Sequence, residues 1–88
     1  MVVKRTLEQL ADLNPDAVLL DNMADALIGV GHIGHHDPVA VYSKAKIFAK
    51  LQNDGLSQED AEEYYVGRFL GLWAGEHTPV ILDDLQEE

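Results

Sequence analysis

His32, His35, His36 and Asp37 fall within six residues, and His77 stands elsewhere in the chain. Imidazole and carboxylate groups are ligands for zinc and related metals, so a metal site has to be weighed first. The His-x-x-His-His order would bring ligands to one side of a helix. Gly31, Gly34 and Pro38 oppose a helix there, and a loop orients ligands poorly. The expected reading is a polar loop whose histidines are partly solvated or cap backbone groups, with no metal and no cofactor assigned. A small metal-dependent enzyme using His32, His35, His36 and Asp37 is the alternative.

Gly29, Gly31 and Gly34 give the spacing that brings backbone amides to a dinucleotide pyrophosphate, but that motif needs a helix behind it. Here His-His-Asp-Pro and a short apolar run follow, so nucleotide binding is not expected. Glu59, Asp60, Glu62, Glu63 and Glu76 could pair for acid–base work, yet the first four open an amphipathic helix, where most are expected in solvent. Ser43 and Ser57 read as helix caps, and no Gly-x-Ser-x-Gly turn accompanies them or His77. No catalytic residue is assigned.

The elements that position these groups follow from local signals. Thr6 with Gln9 fits a capping box, Leu7, Leu10 and Ala11 form a stripe, and Asn14-Pro15 stops it, giving a first helix of about two turns. Ala17 to Leu20 and Ala26 to Val30 are two apolar runs about Asp21-Asn22, read as a β-hairpin with a continuous helix from Pro15 to Val30 as rival. Gly29 to Pro38 reads as a loop, and Val39 to Tyr42 as a strand. Ser43 caps a helix that buries Ile47, Phe48 and Leu51 and ends at Asp54-Gly55. Ser57 caps the longest helix, about 57–74, with Glu59 and Asp60 complementing its dipole. Gly75 and Thr78-Pro79 break it, and Val80 to Leu82 form a last strand. The sum is one α+β domain over 1–88, with two or three helices on a small, mostly antiparallel sheet of three or four strands and a frayed tail at about 84–88.

Gly67, Gly71 and Gly75 recur every four residues, so a helix through all three would carry them along one line. Interior helical glycines each cost about 0.8 to 1 kcal/mol relative to Ala, which calls for a close neighbour: the protein's own core, or a second copy in a homodimer. Tyr64, Tyr65, Phe69, Leu72 and Trp73 cover more than a narrow stripe of the same helix, with Trp73 read as core.

With 6 Lys and Arg against 16 Asp and Glu in 88 residues, the net charge is -10, which disfavours nucleic acid and anionic lipid as partners. Lys44, Lys46 and Lys50 stand in an acid-free stretch, and the acids concentrate at 54–63 and from Glu76 onward. A chain without Cys has no disulfide, thiol or zinc-ribbon chemistry. No apolar run approaches the roughly 18 residues of a membrane span, and Met1 to Arg5 does not open a signal peptide, so a cytoplasmic protein is expected.

Asp25-Ala26-Leu27-Ile28-Gly29, Pro38-Val39-Ala40-Val41-Tyr42, Gly55 to Glu63, and Gly71-Leu72-Trp73-Ala74-Gly75-Glu76-His77-Thr78-Pro79 together cover about two thirds of the chain. In this combination the sequence resembles a family of small bacteriophage and prophage proteins of uncharacterised activity. It departs from that pattern in Leu72, where the family's ending usually has Ala, and in its His-rich loop. The resemblance implies a phage origin and a bacterial host cytoplasm, and carries over no catalytic residue.

The function expected from all this is a non-enzymatic, acidic protein-interaction module. It would act as a phage accessory protein that binds a host or phage protein with a basic surface. A narrower version is an inhibitor of a host defence or nucleic-acid enzyme by charge mimicry. The candidate surface comprises Glu59, Asp60, Glu62, Glu63, Tyr64, Glu76, Asp83 and Asp84.

Overall fold

The computed structural model describes residues 2–20, 22–72 and 75–84. Helix α1 (Val2–Leu13) is followed by a 3-10 turn at Ala24–Ala26 and a hairpin of β1 (Leu27–Gly31) and β2 (Val39–Ser43). Helix α2 (Lys44–Asn53) and helix α3 (Gln58–Tyr65) come next. The latter continues as a π turn over Val66–Leu70, and β3 (Val80–Leu82) closes the order. The sheet order is β1-β2-β3. β1 pairs antiparallel and β3 parallel to β2, so the sheet is mixed and the fold is a small α+β one.

One face of the sheet carries Leu27, Ala40 and Tyr42 into a core shared with Leu10 of α1, Ile47 and Leu51 of α2, and Ala61, Tyr65 and Phe69 of α3 and its π turn. The helices therefore cover that face. Burying such side chains, at roughly 25 cal/mol per Å² of apolar surface, is the main force holding the layers together. The hairpin is tight: a Cβ on Gly31 would stand 2.8 Å from Val41 Cγ2, so only glycine fits without a shift.

The local signals around α2 act as read. Ser43 Oγ accepts from Lys46 N at 3.1 Å, and Gly55 (φ +104) lets Leu56 N bond back to Leu51 O at 3.1 Å, a Schellman end. Ser57 Oγ likewise accepts from Asp60 N at 3.1 Å.

Four expectations are corrected. The first helix starts at Val2, so Thr6 is a buried interior residue one turn before Leu10 and not a cap. Ala17 to Leu20 forms neither a strand nor a helix. Its backbone is satisfied by scattered partners: Ala17 N donates to Asn14 O, Val18 N to His77 O and Leu20 N to the Tyr42 hydroxyl. The second apolar run does make a hairpin, but its partner is Val39–Ser43, with a bulge between Leu27 and Gly29.

The third correction concerns the longest helix, expected over about 57–74, which ends at Leu70 with Gly71 as its cap. Trp73 and Ala74 lie outside the described residues. The fourth follows from it: Gly67, Gly71 and Gly75 do not form a line packed closely against the protein's own core. A π turn carries more residues per turn than an α-helix, so a spacing of four drifts off one face. Gly67 has no atom within 4 Å of a Cβ position, Gly71 meets Val66 O only at 3.7 Å, and Gly75 (φ +64) lies beyond the helix.

Candidate functional site

The loop between β1 and β2 holds His32, His35, His36 and Asp37, all exposed. His36 N closes a turn on Ile33 O at 2.9 Å, and His36 Nδ1 meets Glu76 Oε2 at 2.9 Å with both side chains more than half exposed. Glu76 Oε1 stands 4.0 Å from His77 Nε2. Among the described residues no three His, Asp or Glu side chains gather as a metal site, so the alternative built on His32, His35, His36 and Asp37 finds no assembled ligand set. Gly29 and Gly31 lie in β1 and Gly34 in the loop, with a strand behind them, so no helix N-terminus faces that spacing.

His77 has a structural task that the sequence did not reveal. Asn14 is 1 % exposed, and its amide is oriented by two unambiguous partners. Nδ2 donates to Pro38 O at 2.8 Å, and Oδ1 accepts from Asp16 N at 3.2 Å. A flipped amide would set oxygen against oxygen and nitrogen against nitrogen. Nδ2 therefore also faces His77 Nδ1, at 3.2 Å, as a donor. The neutral ring that accepts this bond carries its proton on Nε2, on the side of Glu76.

The acidic residues fall into three settings. Glu59, Asp60, Glu62 and Glu63 are exposed on α3, and no described residue forms an ion pair with any of them. Tyr64 shares this helix, 37 % exposed, with the Arg68 guanidinium 5.3 Å over its ring. Glu76 is held against His36 as described. Asp83 and Asp84 are bound to the start of α2: Lys44 Nζ reaches Asp83 Oδ2 at 3.5 Å, while Asp84 accepts from Ser43 Oγ at 2.6 Å and from Ala45 N at 2.9 Å. Those bonds, the Ser43 hydroxyl foremost, hold the Asp84 carboxyl below its usual range. Asp84, expected in the frayed tail, is thus a second cap on α2; 85–88 lie outside the described residues.

Two concave surfaces flank α3. A groove of about 650 Å³ runs between α2 and α3, lined by Lys44, Phe48, Glu62, Tyr65, Val66 and Leu70 among others. On the other side, Leu56, Asp60, Glu63, Tyr64 and Arg68 border a shallow depression of about 520 Å³. Val66 and Leu70 are 55 % and 60 % exposed at the groove's lip. The sequence pointed to neither: both depend on where α2 meets α3. The one local sign was apolar side chains at 66 and 70, four apart and offset by one from the buried Tyr65 and Phe69.

Burial raises the Tyr65 phenol above its ordinary pKa, with Lys44 pulling it down and Asp83 pushing it up. Burial also raises Tyr42, opposed by the Leu20 N–H that its oxygen accepts. No helix among the described residues is long and apolar enough to cross a membrane.

Compared with protein-family models, curated proteins and solved structures, the chain matches none.

Proposed function

We propose that this protein is a non-enzymatic interaction module that binds a protein with a basic surface through the acidic side of α3. Its setting is that of a phage accessory protein in a bacterial host cytoplasm. The observation that carries the reading is the row Glu59, Asp60, Glu62 and Glu63, exposed and without ion-pair partners among the described residues, beside the exposed Tyr64. Unneutralised charge of one sign steers an oppositely charged partner, and a Tyr beside it supplies an anchor of the kind favoured in interfaces.

The charge density suits mimicry of nucleic-acid phosphates, but the length limits it. Residues 59–63 span about 6 Å of helix axis, so four charges stand on average about 2 Å apart along it, against about 1.7 Å per charge along duplex DNA. Such a row replaces the phosphates of only about two base pairs. An inhibitor of a nucleic-acid enzyme would therefore engage a short basic pocket and not a long duplex groove.

The test is a nuclease-treated affinity capture from bacterial host lysate at two salt concentrations, repeated with Glu59→Gln, Glu62→Gln and Glu63→Gln combined. A basic protein captured at low salt, released at high salt and lost with the triple variant supports the reading. Capture that the triple variant leaves unchanged, or recovery of the bait alone, overturns it.

A further inference from the structure

We propose that the groove between α2 and α3 is a binding site for a small monocarboxylic acid with an apolar body, such as a medium-chain alkanoate. The carboxylate would lie between the Lys44 ammonium and the Tyr65 hydroxyl, and the chain would lie along Phe48, Val66 and Leu70. The Lys44 and Tyr65 pair is not part of the acidic docking surface, although Glu62 of that surface also lines the groove.

Four observations carry the assignment. The groove, about 650 Å³, is of the size that holds small ligands, and its lining sets the apolar Phe48, Val66 and Leu70 beside a polar half that includes Lys44, Tyr65 and Glu62. Tyr65 lines that groove although it is 6 % exposed, and its hydroxyl has no hydrogen-bond partner among the described residues. Lys44 turns inward, its Nζ 5.4 Å from the Tyr65 ring centre and 5.9 Å from that of Phe48, so its charge sits over the groove's aromatic wall. The same end of α2 already attracts carboxylates, since Asp83 bonds Lys44 and Asp84 bonds Ser43 Oγ and Ala45 N.

Lys44 is not idle before a ligand arrives. Its bond to Asp83 is long, at 3.5 Å, and the Asp83 side chain is 70 % exposed, so a bound carboxylate would compete with a loosely held internal one. That competition gives the site a signed signature: removing the Asp83 charge should strengthen binding, whereas removing a donor should weaken it.

The experiment titrates decanoate, decanol and decyltrimethylammonium into the 15N-labelled full chain, following backbone amide shifts. Decanoate should bind in the sub-millimolar range, with its shifts concentrated on Ala45, Phe48, Ala49, Val66 and Leu70, and the neutral and cationic analogues should bind at least about tenfold more weakly. Lys44→Met should weaken decanoate about tenfold, Tyr65→Phe about threefold, and Asp83→Asn should tighten it about threefold. The wild-type amide spectrum outside the groove checks that each variant is folded. No decanoate binding at millimolar concentration, equal binding of decanol, shifts centred elsewhere, or a folded Lys44→Met chain that binds as the wild type does would each overturn the proposal.

Discussion

Asn14→Ala is the substitution whose cost can be worked furthest from the structure. The side chain is almost fully buried and ties three segments together: the end of α1 through Asp16 N, the hairpin loop through Pro38 O, and the approach to β3 through His77 Nδ1. Each neutral bond contributes about 0.5 to 1.5 kcal/mol net, and a buried partner left unpaired costs about 1 to 3 kcal/mol. Water entering the space left by the amide would recover part of that, so a loss of about 3 kcal/mol is expected. The whole domain is worth about 4 to 13 kcal/mol at 0.05 to 0.15 kcal/mol per residue, so this one change removes a large share. Urea unfolding followed by circular dichroism should show a lower midpoint with an unchanged slope, and Tm should fall by about 12 to 20 °C. In the wild type, 15N shifts of the neutral His77 ring should report the proton on Nε2, and in the variant that preference should relax. A stability change under about 0.5 kcal/mol, or a wild-type His77 with its proton on Nδ1, would refute the placement of the amide.

Three further outcomes follow from the same geometry. Tyr42→Phe removes the acceptor of the Leu20 N–H inside the core and should cost about 1 to 2 kcal/mol, with faster hydrogen exchange at Leu20 as its local mark. Gly31→Ala should destabilise by about 1 to 3 kcal/mol because its Cβ meets Val41 Cγ2, and pairing it with Val41→Ala should restore part of that loss in a double-mutant cycle. The Asp84 carboxyl is held below its ordinary pKa by Ser43 and Ala45, so its contribution is fully present above the unfolded value and lost as pH falls through the lower folded one. Asp84→Asn should therefore lower stability at neutral pH and flatten this part of the acid limb, which denaturation at a series of pH values would read.

What could be read from the sequence was what is decided locally. Ser43, Ser57 and Gly55 specify their helix ends through bonds to residues a few positions away, and the runs 39–43 and 80–82 are strands wherever they pair. The exposure of Glu59, Asp60, Glu62 and Glu63 followed from their place at the start of an amphipathic helix. The misreadings have separate causes, and the first is satisfaction at long range. Ala17 to Leu20 has the apolar content of a strand, but its N–H groups find Tyr42 and His77, 22 and 59 positions away in the pairs Leu20–Tyr42 and Val18–His77. The glycine line failed because the π turn changes the helical period after Tyr65, and no residue pattern announced that change. Lys44 and Tyr65 meet only because α2 and α3 pack side by side, so their groove had no signature in either segment alone.

The parallel pairing of β2 with β3 also sets an order of assembly. The hairpin joins residues within 27–43 and closes a short loop, whereas β3 can reach β2 only after the whole stretch carrying α2 and α3 has been traversed. Short closures are fast and long ones slow, so β1, β2 and α2 can form an early nucleus while the third strand waits. Asp84, which completes the cap of α2, arrives with that strand. Until then Ser43 is the side-chain cap at the start of α2, and the last rung of the sheet and the second anchor of that helix start come with the same segment.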